Sequence, residues 1–170
     1  SPEMNQNQDN QNSWGYWAGP IQDENNNARI DNSISNSIQN SNNSSNITDP
    51  AYVQNLIDDP SRGIDLNFSG NINGDSLTSI TLNFVFGQSY NYLDGTFSWG
   101  NYNGTFSADS DNINANGFNA RGGGYTSSYG DFSTNINGKF YGNEISSVGG
   151  NINITDSLNI LEGTFSANKQ

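Results

Sequence analysis

Carboxylates are the abundant chemistry-bearing groups of this sequence. Its 170 residues carry 17 Asp and Glu against 5 Lys and Arg, with no His and no Cys. That composition leaves no thiolate nucleophile, no imidazole base, no His-based triad and none of the usual zinc or haem ligand sets. The acids sit largely at turn-like places: Asp58-Asp59, Asp75, Asp94, Asp109, Asp111, Asp131 and Asp156. Aspartate is expected there simply because its side chain bonds nearby backbone N–H groups. A glycosidase, by contrast, needs two carboxylates held about 5–10 Å apart with divergent pKa values. No spacing here specifies such a pair, so no catalytic residue is assigned and the chain is expected not to be an enzyme. Asp109-Ser110-Asp111-Asn112-Ile113-Asn114 alternates oxygen-bearing side chains as a calcium loop does. Ile113 breaks the alternation, however, and no Glu closes the loop. A turn is the expected role, and no metal or cofactor is expected.

Exposed aromatics are the other residues with functional potential. Tyr90 and Tyr92 flank one turn, Trp99 and Tyr102 flank another, and Tyr125 and Tyr129 follow the run Gly122-Gly123-Gly124. Tyr and Trp near loops dominate the energetics of protein and glycan recognition. Trp99, Tyr102, Tyr125 and Tyr129 are therefore the expected binding residues, set against the simpler reading that half of these rings point into the core. Trp14-Gly15-Tyr16-Trp17 is a second dense aromatic group. It reads first as a strand anchoring the core and second as a ligand shelf.

These side chains must be positioned by strands. From Gly63 onward the pattern has period two: Ile64, Leu66 and Phe68 alternate with polar residues, as do Ile80, Leu82, Phe84 and Phe86. Asn73-Gly74 marks a tight turn. About eight strands follow one another with short connections, which predicts a single antiparallel up-and-down barrel over 63–168, with a sandwich as the neighbouring solution. Gly122 to Gly124 is expected to open a flexible loop, and Ile113 to Ala120 to form a weak strand. Gly95-Thr96-Phe97, Gly104-Thr105-Phe106 and Gly163-Thr164-Phe165 repeat one theme, with Gly138-Lys139-Phe140 as a variant. Glycine permits sharp strand curvature while Phe fills the interior.

Ahead of the barrel, 1–12 reads as a disordered lead-in whose Ser1-Pro2-Glu3-Met4 resembles an appended junction. Residues 13–62 hold the aromatic strand, an Asn/Ser-rich loop and a short helix. Ile30, Ile34 and Ile38 recur at helical spacing within the Asn-rich stretch. Asp49-Pro50 opens a firmer helix, with Asp49 as cap, Pro50 in the first turn and Val53, Leu56 and Ile57 as the apolar stripe.

Asn137-Gly138-Lys139-Phe140-Tyr141-Gly142-Asn143-Glu144, followed by Val148-Gly149-Gly150-Asn151-Ile152, resembles the closing strands of the barrel domain of transferrin-binding-protein-like surface lipoproteins of Gram-negative bacteria. The likeness extends loosely over 63–169. Asn143 stands where that pattern has Pro, and Asn151-Ile152 where Thr-Phe is commoner. The resemblance implies an eight-stranded barrel displayed at the cell surface, anchored to the outer membrane or released to the periplasm or exterior. It assigns no ligand-reading residue.

The net charge of −12 and the scattered basic residues disfavour nucleic acid and anionic membrane as partners. No apolar stretch approaches the roughly 20 residues of a membrane-spanning helix. The expectation is a non-enzymatic surface or exported module that recognises a host or environmental protein or glycan through loop aromatics. The alternative is a spacer or cap domain of a larger exported protein. A lumen holding a small apolar ligand is disfavoured, because inward Phe should fill it.

Overall fold

The computed structural model describes residues 46–59, 61, 63–87 and 90–170. The Trp14–Trp17 group and the Ile30, Ile34, Ile38 spacing lie outside these residues. Among the described residues, α1 (Pro50–Asp58) precedes the strands β1 (Ile64–Ile72), β2 (Asp75–Phe86), β3 (Asn91–Trp99), β4 (Tyr102–Ala108), β5 (Ile113–Asn114), β6 (Gly117–Thr126), β7 (Gly130–Tyr141), β8 (Ser147–Thr155) and β9 (Ile160–Lys169). Eight of them pair antiparallel around a closed barrel. Each pairs with the next, β4 pairs with β6, and β9 returns to β1. The two-residue β5 is an extra strand on the start of β6. Closure leaves the long strands no open edge, which matters for walls this rich in Asn, Ser and Thr.

The period-two pattern places the core. All nine phenylalanines of the sequence are buried, from Phe68 to Phe165. Burying each contributes about 1.5–3 kcal/mol over leaving it exposed. Buried side chains from α1 and all eight long strands join in one apolar cluster inside the barrel.

Register explains the Gly-Thr-Phe repeat. Gly95 lies opposite Phe106, and Phe97 opposite Gly104. Gly124 lies opposite Phe132, Phe118 opposite Gly138, and Gly150 opposite Phe165. A Cβ on Gly95 would come within 2.4 Å of the Phe106 ring, and one on Gly104 within 2.9 Å of the Phe97 ring. Gly95, Gly104, Gly124 and Gly138 are thus floors on which a neighbouring strand's ring lies, an arrangement known to rescue glycine in strands, whereas Gly150 makes room for the Asn137 carbonyl.

The same geometry corrects two expectations. Gly122, Gly123 and Gly124 are not a loop but the middle of β6, where Gly122 faces Phe106 and Gly124 faces Gly104 across the β4 seam. A Cβ at Gly122 would fall 1.8 Å from the Thr105 carbonyl oxygen, so only glycine allows the strands to meet. The span from Ile113 to Ala120 is likewise not one strand. It breaks after Asn114, where the Asn114 side chain caps the turn through the N–H of Asn116 at 2.8 Å, and resumes at Gly117.

Alternation of strand direction sorts the connections onto two ends. One end holds α1, β5 and the turns after β2, β4 and β7. There Asp49 caps α1 by accepting from the Ala51 N–H at 3.0 Å, and Val53 and Leu56 enter the core as a plug. The other end holds the four hairpin tips β1–β2, β3–β4, β6–β7 and β8–β9. Asn73 and Gly74 form the first tip with φ of 53° and 69°, both in the left-handed region that such two-residue turns require.

Candidate functional site

All four expected binding aromatics belong to the hairpin-tip end. Trp99 closes β3, Tyr102 opens β4 and the two are register partners. Tyr125 is the penultimate residue of β6, and Tyr129 lies in the turn before β7.

Their roles divide. Tyr125 is 67% exposed and Tyr129 37%. Tyr102, expected to be an exposed contact, is instead only 5% exposed. Its position is in phase with Phe106 and Ala108, so its ring points inward and closes the mouth of the barrel. It stacks on Tyr129 with centroids 6.1 Å apart and meets Phe132 edge-on at 5.2 Å. Trp99 is half-buried against the core. Its indole reaches β9, where a Cβ at Gly163 would lie 2.9 Å from the ring.

The phenol of Tyr102 crosses the mouth to the β8–β9 turn, donating to Asp156 Oδ2 at 2.5 Å. Asp156 Oδ1 accepts from the backbone N–H groups of Leu158 at 2.7 Å and Asn159 at 2.6 Å. The Asn159 amide reaches the Tyr102 oxygen at 3.4 Å. Nearby, Asn73 uses its side-chain oxygen to accept from the Thr164 N–H at 2.9 Å. Two tips are thereby tied across the mouth.

Donation from Tyr102, reinforced by the Leu158 N–H and by Asn159, holds the Asp156 carboxyl down at about 2, with partial burial opposing. The same bond raises the Tyr102 phenol above its ordinary value. A lowered carboxyl stabilises the fold above its ordinary value near 3.8, and that contribution disappears as pH falls towards 2. Tyr102→Phe keeps the ring and removes the donor. We expect urea midpoints of the wild type to fall more steeply than those of this variant across that acid window. Parallel curves would mean the bond does not couple the turn to stability.

Around this closed mouth lies an apolar rim that the aromatic reading missed. Leu77 is 89% exposed, Leu158 77% and Ile160 73%. Among the described residues, five of the seven exposed large hydrophobics sit at this end: these three with Tyr125 and Tyr129. Phase was the available signal. Inward positions on β2 are even-numbered from Thr78 to Phe86, and Leu77 is odd. Leu161, Gly163, Phe165 and Ala167 set the inward phase of β9, and Ile160 falls outside it. Tyr125 is out of phase with Phe118 and Ala120 in the same way.

At the opposite end, Asp109 spends Oδ1 on the Asp111 N–H at 3.2 Å and the Asn112 amide at 3.1 Å, capping a short 3-10 turn. A polar surface cleft of about 390 Å³ lies beside it, lined by Ser107, Asp109, Asn112, Asn119 and Arg121. No group of three or more acidic side chains suited to a metal ion occurs among the described residues.

Fold and site together define an eight-stranded antiparallel β-barrel with an apolar interior, helix-plugged at one end and rimmed with apolar side chains at the other. Set against protein families, curated proteins and solved structures, the chain matches none. No helix among the described residues is long and apolar enough to cross a membrane.

Proposed function

We propose that the barrel is a non-enzymatic binding module, displayed at the cell surface or exported, whose contact face is the hairpin-tip end. The carrying observation is the grouping of Leu77, Tyr125, Tyr129, Leu158 and Ile160 on the tips of a barrel whose walls are Asn, Ser and Thr. Single exposed apolar residues are ordinary on protein surfaces. Five of them gathered at one end of the barrel is what singles that end out as an interaction face. Location outside the cell rests on the likeness of residues 137–152 to transferrin-binding-protein-like barrels.

The expected binding set is revised accordingly. Tyr125 and Tyr129 remain contact residues. Trp99 and Tyr102 hold the tips in place, so their loss is expected to reduce binding by disordering the face. The combined variant Tyr125→Ser, Tyr129→Ser, Leu158→Ser, Ile160→Ser should keep its melting temperature within a few degrees. It should lose at least tenfold in capture on printed glycan and serum-protein arrays. Undiminished capture would reject this face. An absence of capture by the wild type would favour the spacer reading.

A further inference from the structure

The rim also carries information about what it binds. We propose that its partner is a cationic polypeptide segment, presenting aliphatic or aromatic anchors flanked by Lys or Arg. This rests on the binding reading above.

Side-chain type argues against a glycan as the partner. Sugar rings are held on flat aromatic faces with polar side chains alongside. Three of the five rim residues, Leu77, Leu158 and Ile160, are aliphatic. They gain most by burial against other apolar side chains. The mouth behind them is closed by Tyr102, itself buried against Phe132 and Tyr129. Contact is therefore made across the tips and not inside a cavity.

Charge then narrows the polypeptide. Asp75 stands two residues from Leu77, Asp131 is the register partner of Tyr125, and Glu162 is two residues beyond Ile160. All three are exposed. The described basic residues lie elsewhere. Arg121 is mid-strand in β6, and Lys139 and Lys169 are near the opposite end, where the Lys169 ammonium donates to the Glu144 carbonyl at 2.6 Å. An apolar rim studded with carboxylates and free of cations among the described residues attracts a basic partner and repels acidic ones. It also repels a second copy of itself, since like charges would meet face to face, and anionic lipid or phosphate.

The test uses the full 170-residue chain and a synthetic amphipathic peptide of Lys, Leu and Trp. Its matched control replaces every Lys by Glu. Binding is read by calorimetry at low and at moderate salt. The Lys peptide should bind with an affinity that falls as salt rises, and the Glu peptide should not bind. The variant Asp75→Asn, Asp131→Asn, Glu162→Gln should weaken the Lys peptide about tenfold and flatten its salt dependence. The variant Asp65→Asn, Asp94→Asn, Asp111→Asn removes as much charge away from the rim and should leave affinity unchanged. Equal losses in the two variants would reduce the effect to net charge and overturn the proposal. Equal binding of both peptides would also overturn it, as would rim-dependent dimerisation seen by sedimentation. If neither peptide binds while glycans or neutral proteins are still captured through Tyr125 and Tyr129, the cationic assignment falls and the binding module stands.

Discussion

Gly70→Ala is expected to leave little closed barrel. Gly70 lies on the β1–β9 seam, opposite Ala167, where the first and last strands join. A Cβ there would fall 1.8 Å from the Ser166 carbonyl oxygen and 2.6 Å from the Ala167 Cα. Both are backbone atoms in a hydrogen-bonded ladder, so no rotamer change relieves the clash. The β1–β2 register also shifts between Gly70 and Ile72, which makes this a point where the strand bends. Overpacking a core costs about 1–3 kcal/mol where side chains can yield. A clash into backbone belongs at or above the top of that range, against a typical total stability of about 5–15 kcal/mol. Prying the seam apart also exposes two long strand edges, so association should accompany the loss. Urea unfolding and light scattering check both effects. Gly100→Ala is the control: its φ is 62°, but a Cβ there meets nothing within 4 Å. That variant should lose only the left-handed strain of about 1–2 kcal/mol. Equal midpoints for the two variants would show that the seam is not sterically tight.

The fold was legible because its determinants are local. Ile64, Leu66 and Phe68 alternate, Asn73-Gly74 supplies two residues tolerant of positive φ, and Asp49-Pro50 starts a helix by capping. Each signal lies within a few residues of the structure it specifies. Gly122 to Gly124 misled for the opposite reason. Glycine in a loop and glycine beneath a ring look identical until the register opposite is known, and Phe106 and Phe132 become neighbours only on pairing. The site was legible in half. Tyr125 and Tyr129 are exposed as expected, but a tyrosine satisfies either environment when its hydroxyl finds a partner. Tyr102 found Asp156, 54 residues away in sequence. No local pattern announces that pairing. Leu77 and Ile160 were marked by phase, a cue that an aromatic search passes over.

Phe84→Ala is the largest single side-chain loss we expect. Phe84 is the hub of the lumen: its ring meets Phe68 at 5.8 Å, Phe118 at 5.0 Å and Phe140 at 5.4 Å, all near edge-on, and stacks with Phe86 at 6.5 Å. Those partners come from β1, β6, β7 and β2 itself. One ring therefore bridges opposite walls of the barrel. Truncating a buried Phe costs about 3–5 kcal/mol, more where the site cannot collapse. Here collapse is opposed by a closed hydrogen-bonded ladder that fixes the wall-to-wall distance. The measurable result is a large fall in urea midpoint with an unchanged slope. A loss below about 1 kcal/mol would mean that the neighbouring rings repack freely. If the walls hold, the variant gains a dry apolar cavity where the Phe84 ring had been. Such cavities take up small apolar molecules, so benzene should raise the midpoint of Phe84→Ala and leave that of the wild type unchanged. Binding at the hairpin tips should survive in the folded fraction, because Tyr102 and Phe132 separate the rim from the axis. Loss of rim binding in folded Phe84→Ala would instead show that the core sets the positions of the tips directly.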